Sequence, residues 1–215
     1  MLAYVFWHWP QPGVDAQTYV DHLAAFHDTL NAHKPVGFHG SRVFRMRGVS
    51  WLDTHGEAYE DWYLLDDSAA LDRINEAAVS GVCEAPHNRV AREAAGGTAG
   101  LYRVKAGSVF EEISFALWLS KPEGVSYTDF YSKLEPIIKN ARAVLWQRQM
   151  TLGPTTEFLI HSARPIQLPE TWIASQPSNS AISGQWSVAA LINSFGSVIT
   201  SQLSNRSLKV FGTNT

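Results

Sequence analysis

The chain is 215 residues long, which is enough to bury a sizeable core in one large domain or two small ones. Hydrophobic residues make up 45% and charged residues 17%, as in ordinary globular proteins, and the net charge of −3 argues against a nucleic-acid binder, which normally carries a basic stripe. No run of about 18 apolar residues occurs, so no segment is predicted to span a membrane.

The N-terminal run Ala3–Trp9 is rich in aromatic and β-branched residues and ends at Pro10, which predicts a strand and not a signal peptide. Asp15 then stands in the N-cap position of a helix that extends to about Ala32. Apolar residues at helical spacing form a stripe along one face of this helix, at Tyr19, Leu23, Phe26 and Leu30. The stripe predicts that the helix packs against a sheet.

The residues between this helix and Ala106 alternate in a way that predicts two strands, a broken helix and a third strand. The predicted elements are strands at Gly40–Arg47 and Tyr59–Asp66, a helix at Ser68–Ser80, a second helical piece after Pro86, and a strand at Thr98–Ala106. Gly96 and Gly97 predict the helix stop before that last strand.

The opening strand and helix recur further along the chain. A shift of 111 residues aligns Trp7 with Trp118. The same shift also aligns the turn glycine, the helix cap and the apolar stripe of the two segments. The paired positions are Gly13 with Gly124, Asp15 with Ser126, Tyr19 with Phe130, Leu23 with Leu134, and Phe26 with Ile137. Shared caps and stripes with no gap indicate a duplication.

The remainder of the second half continues the same order. Strands are predicted at Ala143–Thr151 and Thr156–Ser162, an extended loop at about 164–184, an amphipathic helix from Val188 to Leu203, and a last strand at Ser207–Phe211. The last fifty residues are poor in charge and rich in Ser, Asn and Gln, so a partner-binding or partly disordered tail is the alternative there.

Each half therefore has the order β-α-β-β-α-β, and we predict an α+β protein of two tandem ferredoxin-like repeats, at residues 1–107 and 108–215. This order resembles the dimeric α/β-barrel superfamily, which includes antibiotic-biosynthesis-monooxygenase-like and EthD-like domains. The resemblance implies antiparallel sheets that form an α/β barrel, within one chain or between subunits, and leaves a homodimer open. It also implies a superfamily of oxygenases, isomerases, haem enzymes and non-catalytic proteins.

Strand alternation sorts the candidate site residues onto one face. Because Trp7 and Trp118 recur, we assign their face to the helices and the opposite face to the barrel interior. The barrel side then gathers His8 and Asp61 as acid–base candidates, since histidine titrates near neutral pH. The substrate-binding candidates are Arg45, Tyr63 and Arg103, with Arg148 and Glu157 from the second half; ion pairs at the barrel mouth are the alternative for the charged groups.

Standard catalytic motifs are absent, namely those for dinucleotides, phosphate loops, zinc proteases and serine nucleophiles. No metal or cofactor is therefore predicted, and His22 and His27 lie too far apart around their helix to hold one metal. The single cysteine, Cys83, is not expected to act as a nucleophile, and the lack of a disulfide partner favours a cytoplasmic location.

Three functions remain open from the sequence. The first is a metal-free oxygenase or isomerase that binds a hydrophobic or aromatic small molecule, with no nucleic-acid or membrane partner. The second is a non-catalytic binding or assembly module whose barrel is filled by side chains. The third is a haem protein, which the resemblance allows and which would need an axial ligand such as His161 or His8.

Overall fold

The computed structural model describes residues 1–47, 52, 57–109, 113–151, 156–174, 184–187 and 189–193. This part of the chain forms an α+β fold. The strands are β1 Leu2–Pro10, β2 Phe38–Arg47, β3 Glu57–Leu65, β4 Ala94–Gly107, β5 Phe115–Leu119, β6 Val144–Thr151, β7 Phe158–Ser162, β8 Gly184–Ser187 and β9 Ala189–Asn193. The helices are α1 Ala16–His33, α2 Ser68–Ala78, α3 Gly81–Glu93, α4 Tyr127–Ala141 and α5 Glu170–Ala174. None of these helices is both long enough and apolar enough to cross a membrane.

All strands belong to one antiparallel, curled sheet with the order β8-β5-β7-β6-β4-β1-β3-β2-β9. Residues 2–107 supply the run β4-β1-β3-β2, residues 115–187 supply β8-β5-β7-β6, and the pairing of β4 with β6 joins the two runs. Only residue 188 separates β8 from β9, yet β8 pairs with β5 and β9 pairs with β2 at the opposite edge. One short segment therefore links both edges of the sheet.

Helices α1 and α4 begin in the same way, and both predicted N-caps are confirmed. The Asp15 side chain accepts a hydrogen bond from the Thr18 amide at 2.8 Å, and the Ser126 hydroxyl accepts one from the Asp129 amide at 3.1 Å. Each bond satisfies an amide that has no partner inside its own helix. Two residues earlier the chain turns through Gly13 (φ 89°) and Gly124 (φ 73°), a backbone conformation that disfavours a side chain.

The concave interior of the sheet is packed with tryptophans from both halves. Trp7, Trp62, Trp118 and Trp146 are fully buried there, and the Trp7 and Trp118 ring centroids lie 5.7 Å apart. The prediction that Trp7 faces the helices was therefore wrong. These tryptophans recur because both halves contribute to one shared interior, whereas each helix stripe packs on the outer face.

The outer face of the sheet carries two separate hydrophobic clusters, one in each half. In the first, the α1 stripe packs on strand residues that include Val43 and Tyr59. In the second, α4 packs on Leu117, Leu145 and Phe158. Burial of each large apolar side chain stabilises the fold by roughly 1.5–3 kcal/mol, so these clusters hold the helices against the sheet.

The helical region after β3 breaks earlier than predicted. Helix α2 ends before Val79, and Ser80 adopts an extended conformation (φ −136°), whereas Pro86 lies inside α3. The predicted stop at Gly96 and Gly97 was also wrong, because both residues belong to β4. A Cβ atom on Gly96 would lie 2.8 Å from Cζ2 of Trp9, so glycine is needed there for the ring to pack on the strand.

Two predictions in the C-terminal region also need correction. The helix predicted from Val188 is wrong over Ala189–Asn193, which form β9 and pair with β2. The loop predicted at 164–184 contains helix α5. The predicted last strand, Ser207–Phe211, lies outside the described residues, and the division at residue 107 stays a prediction.

Candidate functional site

A cavity of about 400 Å³ lies between the outer face of the sheet and helices α1, α2 and α3. The sheet supplies an aromatic and polar wall of Tyr4, Phe6, His8, Asp61 and Tyr63. The helices supply a mostly aliphatic wall that includes Leu23, Leu30, Ile74 and Val90. A concave apolar site with a few convergent polar groups is typical of small-molecule sites.

His8 and Asp61 meet at the floor of this cavity. Strand β1 pairs with β3 so that Phe6 lies opposite Asp61. The side chains of His8 and Asp61 therefore come together on the helix-facing side of the sheet. His8 Nε2 lies 3.1 Å from Asp61 Oδ1, and both side chains are almost fully buried. The predicted partnership of these residues is present, but on the outer face and not in the barrel interior, because the faces were assigned the wrong way round.

A second histidine, His27 of α1, contacts the same carboxylate and was missed by the sequence interpretation. Its Nε2 lies 3.2 Å from Asp61 Oδ2, and its Nδ1 lies 2.7 Å from the Ser41 hydroxyl. Tyr63 donates a further hydrogen bond to Asp61 Oδ2 at 3.0 Å. The available signal was position, since His27 continues the four-residue spacing of Tyr19 and Leu23 and so had to be buried.

The electrostatics of the cluster favour an ionised Asp61. Burial opposes ionisation, but the contacts to His8 and His27 outweigh it and hold the pKa of Asp61 well below its usual range. Burial and the Asp61 charge together raise the pKa of Tyr63 well above that of a free phenol. The cluster therefore holds a carboxylate and a neutral phenol at neutral pH.

His8 is engaged at its other nitrogen as well. Its Nδ1 lies 2.6 Å from the hydroxyl of Tyr19, a fully buried residue of α1. Burial is the main cause of a raised pKa at Tyr19, with Asp61 adding to it. Tyr19, assigned from its spacing only to the apolar stripe, thus belongs to the polar network too.

The two arginines predicted for the first half do not line the cavity. Strand alternation places Arg45 on the helix-facing side, where its Nε lies 3.6 Å from Glu57 Oε2. Arg103 is exposed, and its Nε lies 3.5 Å from Gln149 Oε1. The predicted convergence of both arginines with His8 is therefore not observed, because they lie further along their strands than the cavity extends.

The two candidates from the second half, Arg148 and Glu157, lie on neighbouring strands away from the cavity. The Arg148 amide donates to the Glu157 carbonyl at 2.8 Å. The Glu157 carboxylate accepts hydrogen bonds from the Tyr127 hydroxyl at 3.0 Å and from Gln147 Nε2 at 3.1 Å. Both residues are half-buried and belong to the second half, and neither lines the cavity that contains Asp61.

A separate buried acid, Glu60, lies on the interior face of the sheet. It accepts hydrogen bonds from the indoles of Trp7, at 2.7 Å, and Trp62. Its Oε1 is also 3.7 Å from His161 Nε2, and burial lowers the pKa of that histidine. This group joins the two halves across the tryptophan-rich core and does not line the cavity.

Neither candidate haem ligand fits that role. Asp61 and Tyr19 engage both ring nitrogens of His8. The buried His161 ring is packed by Trp62, with centroids 4.7 Å apart, and by Phe44 at 5.3 Å. In the described part of the chain, no group of three or more acidic, His or Cys side chains is arranged to hold a metal ion.

Comparisons with known proteins show a likeness of fold. No protein-family model matches the chain, and no curated protein matches its sequence. A candidate monooxygenase from Lactobacillus acidophilus NCFM superposes with a TM-score of 0.50 at 10% identity, covering 88% of this chain and 93% of that one. A structure described as an anthrone oxidase-like protein superposes with a TM-score of 0.48 at 10% identity, covering 88% and 90%. At this identity the first likeness shows a shared α+β fold and nothing finer.

Proposed function

We propose that the chain consists of two tandem ferredoxin-like repeats and binds a hydrophobic or aromatic small molecule in the cavity of the first repeat. The observation that carries the binding proposal is the buried His8–Asp61–His27 cluster on the wall of that cavity. A charged cluster inside a fold costs free energy unless it is fully paired. Its position beside an open cavity, and not in a filled core, therefore favours a chemical role.

The chemistry that this arrangement supports best is proton transfer without a cofactor. The cluster would accept a proton from an activated C–H or O–H group of the ligand and leave the ligand as an anion. An isomerase would return the proton to another ligand atom. In an oxygenase the ligand carbanion would transfer one electron to O₂, and the two radicals would combine to form a C–O bond. The resulting peroxide would take up a proton and lose water, which leaves a carbonyl group. The fold likeness to a candidate monooxygenase supports the second course at the level of fold alone.

The alternative is a non-catalytic binding or assembly module. One observation favours it, because the interior of the curled sheet is filled by side chains such as Trp7, Trp62, Trp118 and Trp146. The cavity on the outer face would then bind a ligand without changing it.

Isothermal titration of a panel of phenolic and polycyclic aromatic compounds tests the binding, and O₂ consumption with mass analysis of the products tests turnover. We expect at least one compound to bind to the wild-type protein. We expect His8→Gln to abolish the turnover that the wild-type protein shows. His33→Gln is the matched control, since His33 lies at the exposed end of the same helix that carries His27. No binding across the panel would refute the proposal, and binding without any reaction would favour the non-catalytic alternative.

A further inference from the structure

The polar groups at the floor of the cavity are already paired with one another. Asp61 is contacted at Oδ1 by His8, and at Oδ2 by His27 and Tyr63. The exposed fractions are 1% for His8, 2% for Asp61 and 7% for Tyr63. These atoms can exchange protons, but they offer little free surface on which a ligand oxygen can be held.

Tyr4 is the exception on the same wall. It lines the cavity, is only half-buried, and lies beside Tyr63 with ring centroids 5.9 Å apart. Among the described residues, no hydrogen bond is found for its hydroxyl group, in contrast to the hydroxyls of Tyr19 and Tyr63. A half-buried hydroxyl that borders an open cavity and has no protein partner is hydrogen-bonded by the contents of the cavity, either water or a ligand.

The protonation state of Tyr4 decides what that partner can be. Burial, with a smaller contribution from the Asp61 charge, raises the pKa of Tyr4 above that of a free phenol. Tyr4 is therefore a neutral hydrogen-bond donor at neutral pH. A donor in this position is complementary to an acceptor oxygen on the ligand.

The rest of the cavity limits the kind of molecule that carries this oxygen. Phe6 stacks on His8 with ring centroids 5.3 Å apart and an interplanar angle of 17°, so aromatic rings line the sheet wall. The opposite wall is aliphatic, at Leu23, Ile74 and Val90. An apolar ring system is complementary to these walls, and the arginines that would have bound a ligand carboxylate lie elsewhere.

Resting on the proposed function, we infer that Tyr4 is the residue that holds the ligand, by donating a hydrogen bond from its hydroxyl to a carbonyl or enolate oxygen of a fused-ring compound. Tyr4 would thereby take the ligand-binding role that the sequence predicted for Arg45 and Arg103. An uncharged donor suits a neutral carbonyl compound better than a carboxylate, because the arginines that could pair with a carboxylate lie outside the cavity.

The test uses two compounds that differ in one oxygen, 1-tetralone and tetralin, with affinities measured by isothermal titration on the full chain. The wild-type protein is expected to bind tetralone more tightly than tetralin. Tyr4→Phe keeps the ring and removes only the hydroxyl, so it should weaken tetralone binding by roughly 3- to 10-fold and leave tetralin unchanged. Tyr131→Phe, a half-buried tyrosine of α4, is the matched control and should change neither affinity.

The outcomes separate the two proposals. If the wild-type protein binds neither compound and no other member of the aromatic panel, the proposed function fails and the role of Tyr4 fails with it. If both compounds bind but Tyr4→Phe keeps the preference for tetralone, or weakens both compounds equally, only the role of the Tyr4 hydroxyl is refuted. A circular-dichroism melting curve for each variant confirms that the comparison is made between folded proteins.

Discussion

The two halves share a scaffold but differ in the chemistry of their outer faces. Trp7 corresponds to Trp118 and Leu23 to Leu134, and all four residues are buried. The positions that form the polar network in the first half are occupied by apolar residues in the second half. His8 corresponds to Leu119, Tyr19 to Phe130, His27 to Ile138 and, by strand register, Asp61 to Ile160.

This difference in chemistry locates the candidate site and explains why the cavity beside Asp61 lies under the helices of the first half. In the second half the apolar residues join one closely packed cluster, where Phe130 stacks on Trp172 with ring centroids 5.1 Å apart. In the first half, space that packing would fill is left open beside paired polar groups. The same helix-on-sheet arrangement therefore gives a structural core on one side and a candidate site on the other.

Asp61→Asn breaks the network and should have the largest effect on stability. The amide offers one acceptor oxygen where two histidines and a tyrosine need partners, so the free energy of unfolding should fall by about 3–5 kcal/mol, as when one partner of a buried ion pair is removed. Urea denaturation measures this change. Ile160→Val at the matching position should cost only about 0.5–1.5 kcal/mol.

The first half can also be given the residues of the second, through the combination His8→Leu, Tyr19→Phe, His27→Ile and Asp61→Ile. Replacement of a whole buried polar network by apolar groups is often neutral or stabilising. This variant should therefore recover most of the stability that Asp61→Asn loses while losing the proposed chemistry. A quadruple variant less stable than Asp61→Asn would show that the two halves are not equivalent scaffolds.

Acid should lower the stability of the first half, because it protonates Asp61. An unfolded Asp titrates near pH 3.9, and the folded pKa lies well below its usual range because the two histidine contacts outweigh burial. The unfolded chain therefore binds a proton that the folded chain does not, and this stabilisation is complete above about pH 4 and falls below it, by at most about 1.4 kcal/mol per pH unit.

Urea denaturation at several pH values between 5 and 3 checks this dependence. The wild-type protein should lose stability more steeply than Asp61→Asn, since the amide does not titrate. Equal slopes for the two proteins would mean that Asp61 does not have a depressed pKa in the folded state.

The helix caps should show the smallest effects and the greatest similarity between halves. Ser126→Ala removes the hydrogen bond to the Asp129 amide and should lower the free energy of unfolding by about 1 kcal/mol. Asp15→Ala should act in the same direction, because it removes the corresponding bond to the Thr18 amide. Asp28→Ala, at an exposed position within α1, serves as the control; a loss confined to one of the two caps would contradict the shared scaffold.

The sequence predicted local structure well because caps, turn glycines and apolar spacing act over short distances. Alternation correctly grouped His8 with Asp61 and Tyr63, but it could not say which group faces the helices. That choice depends on how the two halves close around Trp7 and Trp118. Arg45 was misplaced for a different reason, since a strand pattern does not state where along the strand a cavity ends.

The remaining errors also have physical causes. His27 was considered only with the other helix histidines as a metal ligand, although its partner is a carboxylate on β3, 34 positions away in the sequence. The apolar residues of Ala189–Asn193 suit a buried helix or a strand equally, and pairing with β2 decides between them. Both cases depend on contacts between distant segments.

The segment formed by β8 and β9 has a consequence for how the protein behaves at high concentration. Edge strands present unpaired backbone groups to which another chain can add, which makes them starting points for aggregation. Here one ten-residue stretch, 184–193, covers the backbone of β5 with one end and that of β2 with the other. Its detachment would open both edges at once, so this stretch protects the fold against self-association.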